Sequence, residues 1–292
     1  MNKTTLSRKI FILCNTLLML FMILICLYPI MYVLFASLSD SNAFMAHTGL
    51  LLKPVNFSMA AYEAVAKNPL IASGYANTLF IVTAGVAINI TLTSLGAYFL
   101  SHENVRFKNF IMMMITFTMF FNGGIIPFFI TVKSLGMYNT LWALIIPTAV
   151  NTFNLIIMRT SFQSIPKSLK EAAHIDGASH VVILTKIVLP LSKAMIAVMV
   201  LFYGVGHWNA WFYSMIFLND KGLFPLQLVL REILIQNDTA SMTLGTGTVD
   251  GLAIAETIKY AVIIVATLPI LCIYPFLQKY FVKGVMIGAV KG

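Results

Sequence analysis

Six runs of about 20 or more mostly apolar residues divide this chain, and none of them carries an acidic side chain. They cover roughly Ile10–Leu38, Ile71–Leu100, Phe110–Val132, Leu141–Met158, Ile187–Phe217 and Tyr260–Phe281. A helix needs about 20 apolar residues to cross a bilayer core, so each run reads as a transmembrane helix. The first, second and fifth exceed that length, which predicts tilt or projection beyond the bilayer. Composition agrees. The chain is 59% hydrophobic and 10% charged, whereas soluble domains carry about 25% charged residues. The expected fold is therefore all-α and polytopic. Residues 1–70 would form the first helix and an external loop, 71–283 a core of five helices, and 284–292 a C-terminal tail.

The N-terminal apolar stretch is too long for the apolar part of a cleaved signal, about 7–15 residues, so it reads as an uncleaved first span. Six spans place both termini on one side. That side holds Lys3, Arg8, Lys9, Arg106, Lys108, Arg159, Lys167, Lys170, Lys186, Lys279, Lys283 and Lys291. The other holds Lys53, Lys67, Lys133, Lys221, Arg231 and Lys259. The excess of cations predicts cytoplasmic termini and a multi-pass protein of the cell membrane. Two longer loops, about 39–70 and 218–259, then lie outside. The net charge of +9 is accounted for by these loops; no basic patch interleaved with aromatics points to nucleic acid.

Several chemistries lack their residues. No GxxxxGK[ST] phosphate cradle, GxSxG or HExxH motif is present. Cys14, Cys26 and Cys272 all lie in apolar runs without metal-ligand spacing. The expectation is no catalytic residue, no metal and no cofactor. Asn122-Gly123-Gly124 and Gly245-Thr246-Gly247 read as a helix kink and a turn. Within the spans Lys193 and His207 are the ionisable side chains that stand out. Lys193 lies near a helix end, where it can snorkel. His207 fits a hydrogen-bonded interfacial histidine or a transport role. Carriers driven by protons or sodium usually hold intramembrane carboxylates. Their absence here means that energy for uphill transport would enter from elsewhere.

One polar stretch interrupts the apolar pattern at about 160–190, on the cytoplasmic side. Pro166 suits a helix start, and Leu169, Ala172, Ala173 and Ile175 form an apolar side. Lys170, Glu171 and His174 lie on or beside the polar side. Gly177 supplies a turn, Ser179 suits the N-cap of a second short helix over Val181–Lys186, and Pro190 falls in the first turn of the fifth span. Such an element is either an ordinary folded loop or a docking surface.

Its residues carry a resemblance. Glu171-Ala172-Ala173, Gly177, Ile187 and Leu189-Pro190 fit the pattern EAA, three residues, G, nine residues, I, one residue, LP. This is similar to the signature loop of permease subunits of ATP-binding-cassette transporters. Asn77-Thr78-Leu79, Ala97-Tyr98, Ile126-Pro127, Gly136-Met137-Tyr138-Asn139-Thr140, Ile165-Pro166, Ile175-Asp176-Gly177-Ala178 and Trp208-Asn209 resemble the carbohydrate-uptake, maltose-type branch. The ending Val290-Lys291-Gly292 resembles the tail of a permease of that type. The resemblance covers about residues 70–292.

It implies a permease half that pairs with a second permease subunit as a heterodimer. ATP would be bound by a cytoplasmic ATPase dimer, and an extracytoplasmic solute-binding protein would deliver an oligosaccharide. The loop would be a coupling-helix element. Glu171 would meet a cation on the ATPase, and Ala172 and Ala173 would permit close approach. Asp176 belongs to the same coupling set, and Gly177 would set the angle between two helices. Ile187, Leu189 and Pro190 would anchor the loop to the fifth span. The C-terminal tail would reach between the ATPases, and the 218–259 loop would meet the binding protein. Tyr203, Trp208, Asn209 and Trp211 are candidates for the substrate path, although an interfacial aromatic belt is the favoured reading of the three aromatics. Gly74, Thr78, Gly85, Thr91, Ser94 and Gly96 suit close packing of the second span. An importer of a non-sugar solute and an ion-coupled carrier are the alternatives.

Overall fold

The structure, a computed structural model, describes residues 6–235, 256–273 and 275. These are helical apart from turns and one isolated bridge between Ser39 and Phe57, with no strand among them. Helix is the expected outcome. A bilayer offers backbone groups no water, and a helix satisfies them within one segment. The chain divides into two compact units, residues 1–69 with 232–268, and residues 70–231 with 269–292.

The first unit contains α1 (Leu6–Ser37), α2 (Ser41–Ala46), α3 (Ala60–Lys67) and most of a last helix, Glu256–Ile273. Helix α1 has 32 residues, and its apolar side chains from Leu6 to Ile30 are largely exposed. The predicted external loop after it is folded. Asp40 caps α2 by accepting a hydrogen bond from the Ala43 N–H at 3.0 Å. Ser37 and Tyr62 share a hydroxyl bond of 2.8 Å, as do Ser41 and Thr257 at 2.6 Å.

The second unit contains α4 (Pro69–Ser101), α5 (Lys108–Phe120), α6 (Ile125–Ser134), α7 (Trp142–Ile145), α8 (Thr152–Gln163), α9 (Lys167–Ile175), α10 (His180–Ile183), α11 (Leu189–Leu191), α12 (Lys193–Trp208), α13 (Phe212–Phe217) and α14 (Leu226–Ile235), the last turn of α14 belonging to the first unit. Helix α8 packs on α5 and α12, and α7 on α13. The glycine-bearing face of α4 packs tightly. A β-carbon at Gly74 would lie 3.2 Å from the Leu226 backbone, and one at Gly85 would lie 2.6 Å from His207 Nε2. Thr78 and Ser94 are buried on this helix, whereas Thr91 is exposed, so the predicted small-residue face holds except at Thr91. The same helix also makes long-range hydrogen bonds through the buried Asn89 and Thr93, which periodicity did not single out.

Among the described residues three helices, α1, α4 and Glu256–Ile273, are each long and apolar enough to cross a membrane, or up to five spans if each of two bent pairs counts as one. The predicted third span is broken. Helices α5 and α6 meet at 113° across Phe121–Gly124, where Gly124 adopts φ +85° and the Asn122 carboxamide accepts from its N–H at 2.9 Å. This is the kink expected at Asn122-Gly123-Gly124. The predicted fourth span is also not a single helix: α7 stops before Pro147, and α8 restarts after an Asn151 N-cap. The fifth bends by 86° between Leu191 and Lys193, after a π-helical turn at Leu184–Val188. Pro190 explains the wide turn, since it cannot donate to a carbonyl four residues back and its ring crowds that carbonyl.

Candidate functional site

The polar interruption forms two short helices around a glycine. Pro166 precedes α9, Gly177 sits at φ +78°, and Ser179 caps α10 by accepting from the Val182 N–H at 3.4 Å. Each boundary lies where its local chemistry put it. No atom lies near a Cβ placed on Gly177, so the glycine is required by its backbone conformation and not by crowding. The second helix is shorter than predicted, because Leu184–Val188 widens into the π-helical turn.

Ala173, Ile183, Leu184 and Val188 are buried in one cluster with Ala97, Leu155, Met158, Phe162 and Met199 of α4, α8 and α12. Ile187 and Leu189 pack against this cluster, while Pro190 is exposed. Ile183, Leu184 and Val188 therefore root the loop more deeply than the three residues singled out by motif. They went unnoticed because a short apolar triplet beside a span looks like the span itself. Lys170 Nζ donates to the Phe162 carbonyl at 2.9 Å, and Arg159 Nε donates to the Leu100 carbonyl at 3.0 Å. Burial holds the Lys170 ammonium below its usual pKa. Lys167 pairs with Glu103 at 2.6 Å, and this exposed contact lowers the Glu103 pKa through its hydrogen bond.

The outward side of the same element is unsatisfied. Glu171 is exposed and has no hydrogen-bond or ion-pair partner among the described residues. Ala172 and Asp176 are exposed, Leu169 is 44% exposed, and Ile175 is 87% exposed. A short helix rooted on one side thus presents apolar side chains and a free carboxylate on the other.

Elsewhere in the second unit lies an open cavity of about 870 Å³. Thr118, Asn122, Asn151, Thr152 and Tyr213 supply its polar groups, and Phe128, Phe153 and Phe212 its aromatic ones. A smaller cavity of about 270 Å³ shares Phe128, Thr148, Asn151 and Tyr213 with it and reaches Tyr203 and His207. No charged side chain lines the larger one.

The break between α7 and α8 creates the polar network behind these cavities. Carbonyls at Thr148 and Ala149 lose helical partners there. Asn89 on α4 is fully buried, and its carboxamide donates to both, at 3.0 and 2.8 Å. Its Oδ1 then faces His207 Nε2 at 2.8 Å. Since both amide hydrogens are already used, His207 is the donor, which fixes its tautomer. His207 is thus hydrogen-bonded, as one of its two readings had it, but buried in the packing. Tyr203 shares a 2.7 Å hydroxyl bond with Thr93 and accepts from the Asn151 N–H at 3.2 Å.

Of the four substrate-path candidates, Tyr203 lines the smaller cavity with its hydroxyl engaged. Trp208 is buried with its ring 6.4 Å from Tyr75, Asn209 ends α12, and Trp211 stacks under Arg231 at 5.2 Å. Neither cavity includes these three. The 284–292 tail and the Asn237–Gly251 stretch lie outside the described residues. Among the described residues no group of three or more His, Cys, Asp or Glu is placed to hold a metal.

Two motif fragments have visible structural work. Asn77 donates to the Gly222 and Phe224 carbonyls at 2.8 and 3.2 Å, and Thr78 Oγ1 accepts from the Leu226 N–H at 2.9 Å. Asn139, at φ +57°, accepts from the N–H groups of Asn219 and Asp220. Together they pin the segment leading to α14.

Residues 89–287 match the family described as binding-protein-dependent transport system inner membrane component. The chain is 40% identical to Protein LplC of Bacillus subtilis over 288 residues, covering 99% of this chain and 97% of that one. It is 42% identical over 274 residues to the polygalacturonan/rhamnogalacturonan transport system permease protein YtcP of the same organism, covering 92% and 94%. A chain in the crystal structure of a bacterial ABC transporter that imports the acidic polysaccharide alginate superimposes with a TM-score of 0.88 at 33% identity, covering 96% of this chain and all of that one. YtcP and the alginate-related structure are named as transport proteins, in line with the transport reading. The chain belongs to the family of multi-pass inner-membrane components of binding-protein-dependent transport systems.

Proposed function

We propose that this chain is one permease half of an ATP-driven importer of oligosaccharides, paired with a second, unlike permease. Both termini lie in the cytoplasm, and six spans cross the bilayer. An extracytoplasmic binding protein delivers the solute, and a pair of cytoplasmic ATPase subunits docks on the Glu171–Pro190 element.

One observation carries the docking reading. The element is buried on one side in the cluster shared by α4, α8 and α12, while its other side exposes Ile175 and an unpartnered Glu171. A rigid root with an unsatisfied face suits a lever that passes ATPase closure to the transmembrane helices. In this reading Glu171 meets a cation, and Ala172 and Asp176 lie at the contact. Gly177 sets the angle between α9 and α10, and Ala173, Ile183, Leu184 and Val188 hold the root, with Ile187 and Leu189 packed against it.

The substrate class rests on the relatives, which are named for polysaccharide transport. The cavity bounded by Asn122, Asn151, Thr152, Phe212 and Tyr213 suits a sugar chemically, with amides and hydroxyls for sugar hydroxyls and aromatic faces for its rings. Tyr203 supports the wall of this path from behind. A carboxylate on an acidic sugar would find no cation in the cavity lining, so selectivity for such a group falls to the partner chains.

The test is co-purification from membranes. Glu171→Lys is expected to leave the chain inserted and paired with the second permease while the ATPase is lost. Retention of the ATPase at the wild-type level would sink the docking reading.

A further inference from the structure

Beneath the coupling element, three imidazoles and a phenol converge from separate parts of the second unit. Tyr98, near the end of α4, is 7% exposed, and its hydroxyl lies 3.2 Å from Nδ1 of His180 on α10. His102, just past α4, donates Nδ1–H to the Tyr98 carbonyl at 2.8 Å. The rings of Tyr98 and His102 meet edge-on at 4.5 Å, those of His102 and His180 at 5.5 Å, and those of His174 and His180 at 4.7 Å. A cavity of about 470 Å³, lined by Tyr98, His102, Asn104 and His180 among others, opens beside them. The Tyr98–His180 bond is the polar link between the second coupling helix and α4.

We propose that Tyr98 and His180 act as a clamp that positions the coupling element on α4, and that charging of the adjoining His102 releases it when the cytoplasm becomes acidic. The consequence for transport rests on the docking role proposed for Glu171; the clamp itself does not.

The charges around the cluster favour a neutral His102. Lys108 Nζ donates to the His102 carbonyl at 2.7 Å, Arg159 of α8 reaches the end of α4, and Lys170 of α9 reaches α8. Lys167 is taken up by Glu103. The remaining charged groups of these elements are Glu171 on α9, Asp176 at its end and Lys186 beyond α10, all exposed. A proton added to His102 therefore meets cations and the two further imidazoles of α9 and α10. His102 has its Nδ1–H committed, so its proton enters at Nε2. Half-burial holds its pKa below the ordinary histidine value near 6.5 despite the bond to the Tyr98 carbonyl, and Lys170, His180 and His174 push the same way.

The sign follows. A histidine with a lowered pKa in the clamped state binds fewer protons there than when released. The clamp is therefore fully stable above about pH 6.5 and weakens as pH falls through the lowered value.

Hydrogen exchange on the purified complex in lipid nanodiscs tests this, with deuterated water as the probe and rates corrected for intrinsic pH dependence. Between about pH 7.5 and 5.5, amides of residues 167–183 are expected to lose about 3- to 10-fold protection while those of α8 do not. Tyr98→Phe, which keeps the ring, should bring the same loss at the higher pH. The triple variant His102→Gln, His174→Gln, His180→Gln should flatten the pH profile, because glutamine can still bond Tyr98 but cannot titrate in this range. Equal protection at both pH values in the wild type, or an unchanged acid loss in the triple variant, would overturn the proposal. Glu171→Lys separates the two readings. It removes the ATPase if docking is as proposed, yet leaves the pH profile of residues 167–183 in place.

Discussion

Replacing Asn89 by Leu keeps side-chain bulk in the middle of α4 and removes three hydrogen bonds at once. The carbonyls of Thr148 and Ala149 lose their donor, and His207 Nε2–H loses its acceptor. Asn89 itself is fully buried. A stranded buried polar group costs about 1–3 kcal/mol in water-soluble proteins. Interhelical bonds in bilayers average about 0.6 and reach about 1.7 kcal/mol. Three such losses give a destabilisation of about 2–5 kcal/mol. The measurement is reversible unfolding in mixed micelles by denaturing detergent, compared with Asn89→Asp. Aspartate keeps the acceptor for His207 but sets a carboxylate oxygen against two carbonyls. It should cost at least as much as Leu at neutral pH and recover part of the loss when protonated. A Leu variant within about 0.5 kcal/mol of wild type would refute the claim that Asn89 holds the α7–α8 break, since changes of that size are ordinary for uninvolved surface sites.

Other substitutions probe other joints. Gly85→Ala places a methyl 2.6 Å from His207 Nε2, and should cost about 1–3 kcal/mol in the same unfolding measurement because both helices are held by other contacts. Gly177→Val forces a β-branched residue to φ +78°; a loss of about 1–3 kcal/mol in local stability should show as faster hydrogen exchange across α9 and α10. Ile183→Ala empties a fully buried site at the root of the loop and should cost about 2–5 kcal/mol, with ATP hydrolysis by the assembled complex becoming less responsive to the loaded binding protein.

Much of the 167–190 hairpin was legible because its signals are local. A proline before α9, a glycine at its end and a serine before α10 each act on backbone groups within about four residues, so order along the chain is enough to place them. The kink at Asn122–Gly124 was legible for the same reason. The wall of the cavity was not. Tyr203 looked like an aromatic free to stack on sugar, yet its hydroxyl completes the N-cap region of α8. Asn89 passed unremarked because a single amide in an apolar run has no periodic signature. Its partners lie 59, 60 and 118 residues away.

Hydropathy by itself determined that the backbone must close its hydrogen bonds within helices, and the polar interruption determined where a helical hairpin could face water. Tertiary structure decided which spans run unbroken and which bend, because a broken span survives in a bilayer only if a neighbouring helix supplies the missing donors. It also decided that the 167–190 hairpin is a continuation of the core, through Ala173, Ile183, Leu184 and Val188, and that His102 meets His174 and His180 from far along the chain. Those outcomes depend on contacts between segments far apart in the chain, and such pairings leave no mark on local propensity.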